Sequence, residues 1–135
     1  MDRWSKEEGA MKILVCGGRD FEDWKKFNSV MYDIVFGRTG TPNDVEMLPT
    51  GIEIIAGGAT GADSLAIEWA IANWVPFIEY PADWKQYGKK AGYIRNKQML
   101  EEGKPDLVVA FPGGRGTANM IKLAEEAGVE VIRVE

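Results

Sequence analysis

The sequence predicts an α/β fold: a single Rossmann-like, doubly wound domain whose mainly parallel, five-stranded sheet runs in the order 3-2-1-4-5, with helices on both faces. Three observations carry that expectation. Short apolar runs alternate with helix-like runs along the chain. Those runs are apolar almost throughout, not at every second residue, which is the pattern of parallel strands covered on both faces. Three of them end in a glycine-rich turn that leads into a helix-like run, the junction at which α/β sheets hold anions.

Residues 1–11 read as an N-terminal extension, without the apolar run of a signal peptide, and residues 12–135 as the domain. Lys12-Ile13-Leu14-Val15-Cys16 is the first strand, closed by Gly17-Gly18. Asp20 can cap a helix from about Phe21 to Phe36, with Phe27, Val30, Met31, Ile34 and Val35 on one face. Gly37, Gly40, Pro42, Asn43, Pro49 and Gly51 punctuate the next stretch, so Gly37 to Gly51 is expected to be a long loop, a lid or an interaction surface. Ile52 to Ala56 is the second strand, and Gly57-Gly58-Ala59-Thr60-Gly61-Ala62-Asp63 is its turn. A helix then runs to about Asn73, with Leu65, Ala66, Trp69, Ala70 and Ala72 as its apolar positions. Pro76 to Tyr80 is the third strand, ended by Pro81. A polar loop from Asp83 to Gly92 precedes a helix from about Tyr93 to Glu102, which Gly103 and Pro105 stop. Leu107 to Phe111, the turn Pro112-Gly113-Gly114-Arg115-Gly116-Thr117, a helical run from Ala118 to Ala127 and a last strand from Glu130 to Val134 complete the chain.

Right-handed crossovers make strands one and four neighbours, with their helices leaving on opposite faces. The crevice at the carboxyl ends of those two strands is the expected ligand site. Gly17-Gly18-Arg19-Asp20 and Pro112 to Thr117 would line it, and Gly57 to Asp63 would stand beside the first of them.

Composition narrows the chemistry. The 135 residues carry a net charge of −5, which opposes a general nucleic-acid or membrane-surface binder, and no apolar run approaches membrane-spanning length. Histidine is absent and Cys16 is the single cysteine, which excludes histidine-based triads, disulfides within the chain and the usual zinc sites. No metal is expected. A lone cysteine at the end of an apolar strand reads as a small buried filler and fits the reducing cytosol.

None of the glycine turns is a standard nucleotide fingerprint. Gly114-Arg115-Gly116 opens a G-x-G, but Asn119 stands where the third glycine belongs, and no Gly-Lys-Ser/Thr occurs. What the turns share is exposed backbone N–H groups and room for a ligand to approach, to which Arg19 and Arg115 add positive charge. Arg19 reads either as a phosphate contact or as a structural clamp on Asp20 or Asp63. Asp63 reads as the cap of the second helix or as a holder of ribose hydroxyls. Thr117 reads as a cap, a phosphate ligand, or both. Trp84 and Tyr87 could stack on a base, and Arg95 and Asn96 could reach a phosphate or ribose. The predicted ligand-binding set is therefore Gly17, Gly18, Arg19, Asp20, Gly57, Gly58, Ala59, Gly61, Asp63, Asp83, Trp84, Arg95, Asn96, Gly113, Gly114, Arg115, Gly116 and Thr117.

Five ordered segments together resemble the YspA-like family of small SLOG domains. They are Val15 to Phe21, Gly57 to Asp63, Pro81-Ala82-Asp83-Trp84, Ala91-Gly92-Tyr93-Ile94-Arg95-Asn96 and Phe111 to Thr117. The SLOG superfamily also holds the DNA-processing protein DprA/Smf and the LOG phosphoribohydrolases. The resemblance implies a Rossmann-like fold that binds nucleotides or their derivatives, such as NAD or ADP-ribose, often near mobile elements and anti-phage systems. LOG enzymes carry P-G-G-x-G-T-x-x-E, and the glutamate position is Met120 here, which cannot serve as acid or base.

Two main functions follow. One is a module that senses or sequesters a nucleotide-derived ligand, with no further cofactor. The other is a hydrolase of an N-glycosidic or phosphate bond, with Asp20, Asp63 and Asp83 as the catalytic candidates. Single-stranded DNA binding is a lesser alternative, set against the acidic charge. Self-association is expected, because Trp4, Trp24, Trp69 and Trp74 exceed what so small a core hides readily.

Overall fold

The computed structural model describes residues 11–39 and 51–135. The expected extension up to residue 10 and most of the expected loop from Gly37 to Gly51 lie outside the described residues. The elements are β1 (Met11–Cys16), α1 (Trp24–Thr39), β2 (Ile52–Gly57), α2 (Ala62–Ala72), β3 (Phe77–Tyr80), α3 (Trp84–Tyr87), a 3₁₀ turn (Gly88–Lys90), α4 (Ala91–Gly103), β4 (Leu107–Ala110), α5 (Arg115–Glu126) and β5 (Glu130–Arg133). All four strand pairings are parallel, and the five-stranded sheet has the order β3-β2-β1-β4-β5, as the sequence predicts.

The central strands sort their side chains between two cores. Ile13, Val15, Ile54, Ala56, Leu107 and Val109 face α1 and α2, where Phe27, Met31, Val35, Ala66 and the fully buried Trp69 complete the packing. Leu14, Cys16, Ile55, Val108 and Ala110 face the other way, onto Met99 of α4 and Met120 and Ala124 of α5. Burial on both faces explains why these strands read as continuous apolar runs. It also places α1 and α5, which follow the neighbouring strands β1 and β4, on opposite faces of the sheet. The crevice between their starts is thereby opened.

Several boundaries differ from the sequence reading, and α5 begins at Arg115, three residues before the expected Ala118. β1 begins at Met11, which pairs with Ile52 and is buried. α1 starts at Trp24, not Phe21, because Asp23 rather than Asp20 takes the cap, accepting from the Lys26 N–H at 3.1 Å. The helix also runs through Gly37 to Thr39, as a helix end tolerates a lone glycine. In the expected polar loop, the Asp83 carboxylate accepts from the Gln86 N–H at 3.1 Å and starts the single turn α3, and α4 begins two residues before the expected Tyr93.

Candidate functional site

One residue, Gly18, ties the three glycine turns together. The Gly18 N–H donates to the Pro112 carbonyl at 2.8 Å, and the Gly18 carbonyl accepts from the Ala62 N–H at 3.1 Å and from the Phe21 N–H at 3.2 Å. The Thr60 hydroxyl adds a bond to the Arg19 carbonyl at 3.3 Å. Such approach needs residues without side chains. A Cβ at Gly18 would stand 2.8 Å from the Pro112 carbonyl oxygen, and one at Gly113 would stand 2.7 Å from the Gly18 nitrogen. Gly61 has φ +76°, and a side chain there would run into the Gly18 and Arg19 carbonyls.

These turns wall a cleft of about 680 Å³, within the range of roughly 300–1,000 Å³ usual for small-molecule sites. Its α5 side is the anion-binding element. Gly114 precedes the helix, no side chain caps it, and its first turn holds no acidic residue, so the leading N–H groups and the Arg115 side chain front the cleft. Side chains added at Gly114 or Gly116 would meet nothing, so these two glycines leave open space where a ligand would lie. Thr117 is buried in the first turn of α5 with its hydroxyl against Gly113, so it does not cap the helix as the sequence suggests; Gly114 stands at the cap position.

Of the predicted set, Gly17, Gly18, Arg19, Asp20, Ala59, Asp63, Trp84, Arg95, Asn96, Gly113, Gly114, Arg115, Gly116 and Thr117 line this cleft. Gly57, Gly58, Gly61 and Asp83 do not; Gly57, Gly61 and Asp83 each position a residue that does, while Gly58 packs close to Glu79 and Pro81 outside it. A side chain at Gly57 would strike the Arg95 guanidinium and come within 2.9 Å of Asp63 Oδ2, so the bare Cα there is what lets these charges converge. Asp83, as the cap of α3, sets the position of Trp84. The structure also brings in Phe21, Lys89 and Tyr93. Tyr93 lies inside a recognised segment, but its direction depends on α4 starting at Ala91. Tyr87, a stacking candidate in the sequence, is exposed and does not line the cleft.

The floor of the cleft is charged. Asp63 is not the cap of α2, a position Gly61 holds; it lies in the helix's first turn, is only 7% exposed and accepts from the Ala59 N–H at 3.2 Å. Burial pushes its carboxyl up to about 6, against the opposing pull of Arg95, of the Ala59 N–H and of Arg19. Burial also lowers the proton affinity of Arg95, which Asp63 in part restores. Arg95 is held by the Tyr80 carbonyl at 3.4 Å and by Asn96 Oδ1 at 3.2 Å. Asn96, itself buried, donates to the Gly116 carbonyl and to Asn119 Oδ1, both at 3.0 Å, and so clamps α4 to the start of α5. Cys16 lies at the cleft floor with its thiol pushed up to about 12 by burial, which leaves it protonated and unreactive. Met120 points into the core, away from the cleft. Among the described residues no group of acidic or cysteine side chains has the arrangement of a metal site, and no helix is long and apolar enough to cross a membrane.

The chain is similar to known proteins by family, by sequence and by fold. Residues 43–87 match the family described as YAcAr, the YspA, cpYpsA-related SLOG family. The chain is 33% identical over 129 residues to the Gene 61 protein of Mycobacterium phage D29, covering 90% of this chain and 94% of that one. Among solved structures, DNA processing protein A (DprA) from Streptococcus pneumoniae superposes with a TM-score of 0.70 at 18% identity, covering 93% of this chain. The likeness spans 50% of the DprA chain, and at that identity it is a likeness of fold.

Proposed function

Because the chain belongs to the YspA-like family of SLOG domains, which points to a nucleotide- or DNA-related role, we propose that it binds a nucleotide-derived small molecule, a nucleoside phosphate or an NAD- or ADP-ribose-like compound, as a sensor or sequestering module. One observation carries the reading: the uncapped start of α5, with Arg115 beside it, opens into a cleft already built by three glycine turns bonded together through Gly18. A preformed cleft spares the ordering cost of binding. Phe21, Trp84 and Tyr93 supply aromatic surface for a base, and the helix start supplies the phosphate cradle. Calorimetry against a nucleotide panel tests this. We expect at least one nucleotide to bind and Arg115→Ala to weaken it by roughly tenfold or more, the worth of a charge-assisted bond. A panel without binding would remove the reading.

A second reading, hydrolysis of an N-glycosidic or phosphate bond in the same ligand, is favoured by Asp63. A carboxyl near 6 at the cleft floor is poised as a general acid or base, whereas Asp83 is occupied as a cap and Asp20 is exposed. Chromatography of nucleotides incubated with the protein decides it: released base or phosphate, lost in Asp63→Asn while binding persists, establishes turnover.

Self-association belongs to the same proposal. Trp69 is buried and bonds Asn28 at 3.0 Å, but Trp74 is 81% and Ile71 62% exposed. Light scattering is expected to give a multiple of the 15.0 kDa chain mass, and Trp74→Lys the single mass. The body's acidity and the cytosolic setting expected from its free cysteine complete the picture of a module acting on metabolites.

A further inference from the structure

β3 is an edge strand. No strand among the described residues pairs with its outer side, and Phe77, Ile78 and Glu79 are exposed. The ladder to β2 fixes which backbone groups face outward. The Ile54 N–H donates to the Pro76 carbonyl at 2.9 Å, and Ile54 and Ala56 pair with Phe77 and Glu79. The backbone of residues 76, 78 and 80 therefore serves β2, and the N–H and C=O groups of Phe77 and Glu79 point away from it. Edge strands are commonly guarded by charged side chains. On β5, the other edge, exposed Glu130 and Arg133 stand at the two ends. On β3 the one charged side chain is turned inward: a Cβ at Gly58 would stand 2.9 Å from Glu79 Oε1, so that carboxylate lies over the β2–α2 turn.

Trp74, beside this edge, is poorly suited to a free surface. α2 ends in a Schellman arrangement, with the Val75 N–H on the Ala70 carbonyl at 2.8 Å and the Trp74 N–H on the Ile71 carbonyl at 3.3 Å. That puts Trp74 at φ +57°, a conformation helix ends ordinarily give to glycine, and leaves it 81% exposed. A strained, solvated tryptophan gains little for the single chain by burial. With Ile71, Phe77 and Ile78 it exposes on the order of 500 Å² of apolar surface, to which the strand backbone and its polar rim add toward the ~800 Å² per partner of a standard interface.

We propose that two copies of the chain join through β3, antiparallel about a two-fold axis at Ile78, so that the partner's Trp74 closes a recess beside the cleft. This rests on the self-association reading above and specifies it. The register follows from the donors. With Phe77 opposite the partner's Glu79, and the reverse, every outward N–H finds a carbonyl. A register centred on Phe77 would call on the Val75 N–H, which Ala70 already holds, and one centred on Glu79 would call on Pro81, which has no N–H. Ile78 then faces its own copy across the axis. Antiparallel pairing also sets the amino end of one β3 beside the carboxyl end of the other. At that carboxyl end lies a recess of about 340 Å³, walled by Gly58, Thr60, Pro81 and Ala82 and joined to the main cleft at Trp84 and Arg95. The register puts Ala82 opposite the partner's Trp74, so each copy completes the site of the other.

Cross-linking on the intact chain tests the proposal. Facing residues of an antiparallel pair that exchange no hydrogen bonds lie about 4.5 Å apart at Cα, within the roughly 4.4–6.8 Å that a disulfide spans. Ile78→Cys is expected to give a covalent dimer under mild oxidation and Glu79→Cys none, the natural Cys16 being buried. A chain carrying both Trp74→Cys and Ala82→Cys is expected to link copies through a short bis-maleimide, because within one chain the two positions lie at opposite ends of β3. Glu79→Pro removes an outward N–H and no bond to β2, and is expected to reduce the mass by light scattering to that of one chain; Ile78→Lys, which sets like charges on the axis, does the same if Glu79→Pro does not fold. A natural chain of single mass overturns the self-association reading and this dimer together, and leaves the edge to a strand of another protein. A larger mass that survives these two changes, or an Ile78→Cys chain that does not cross-link, overturns the β3 dimer and leaves self-association standing through another face. A β3 dimer that does not link through positions 74 and 82 overturns the shared site.

Discussion

Asp63 titrates differently in the folded and the unfolded chain, and that difference has a measurable sign. Its pKa rises from 3.8 to about 6 on folding, so the folded protein holds a proton the unfolded chain has released at pH 4 to 6. Its stabilising contribution is present below the unfolded value and is lost as pH rises through about 6. A shift of this size corresponds to roughly 3 kcal/mol. Urea unfolding of Asp63→Asn should therefore gain on the natural chain by up to about that amount between pH 4 and pH 7.5. An unchanged difference across that range would place the carboxyl in water. The glycines divide just as sharply. Gly61→Ala combines a left-handed φ with a collision against the Gly18 and Arg19 carbonyls and is expected to cost roughly 2–4 kcal/mol in thermal or chemical melts. Gly116→Asp meets nothing, removes a helical glycine and places a negative charge at a helix start, so it should stabilise the fold by about 0.5 kcal/mol. The same carboxylate would repel an anion, and nucleotide binding should disappear. A glycine change that strengthens the protein while emptying its site separates the cradle from the scaffold.

At the scale of elements, the start of α1 shows where sequence pattern stops being informative. Asp20 and Asp23 are equally good capping residues three apart; in the structure Asp23 takes the cap, while the Phe21 N–H beside Asp20 bonds back to Gly18. Asp23→Ala should cost about 1 kcal/mol and Asp20→Ala less than about 0.5, read by melting. α3 was hidden for another reason. One turn with all four residues exposed has no apolar face to betray it, so the segment reads as loop although the Asp83 cap fixes it. The strands were plain because double-sided burial writes itself as uninterrupted apolar residues, and the glycine turns were plain because topology alone carries the carboxyl ends of β1, β2 and β4 to one edge. Side-chain direction within that edge was not legible. Tyr93 lines the cleft and Tyr87 does not because of where α4 begins, which is set by tertiary packing.

For the molecule as a whole, a body of net charge −5 surrounds a cleft whose walls hold Arg19, Lys89, Arg95 and Arg115. That contrast favours a small anion, which feels the local cations, over a polyanion, which must also approach the acidic surface. Single-stranded oligonucleotide is expected to give no gel shift with micromolar protein at about 150 mM salt, where phosphate contacts are already weakened. The bonding at Gly18 reaches beyond stability, because it divides the backbone amides into two populations. Its own N–H and that of Ala62 are bonded across β1, β2 and β4, so their protons should trade for deuterium only when the sheet comes apart. The leading amides of α5 have no carbonyl to hold them and should trade at once in the free protein, then slow when a phosphate occupies them. A single deuterium time course thus reads the integrity of the scaffold and the occupancy of the cleft as separate rates from adjoining peptides.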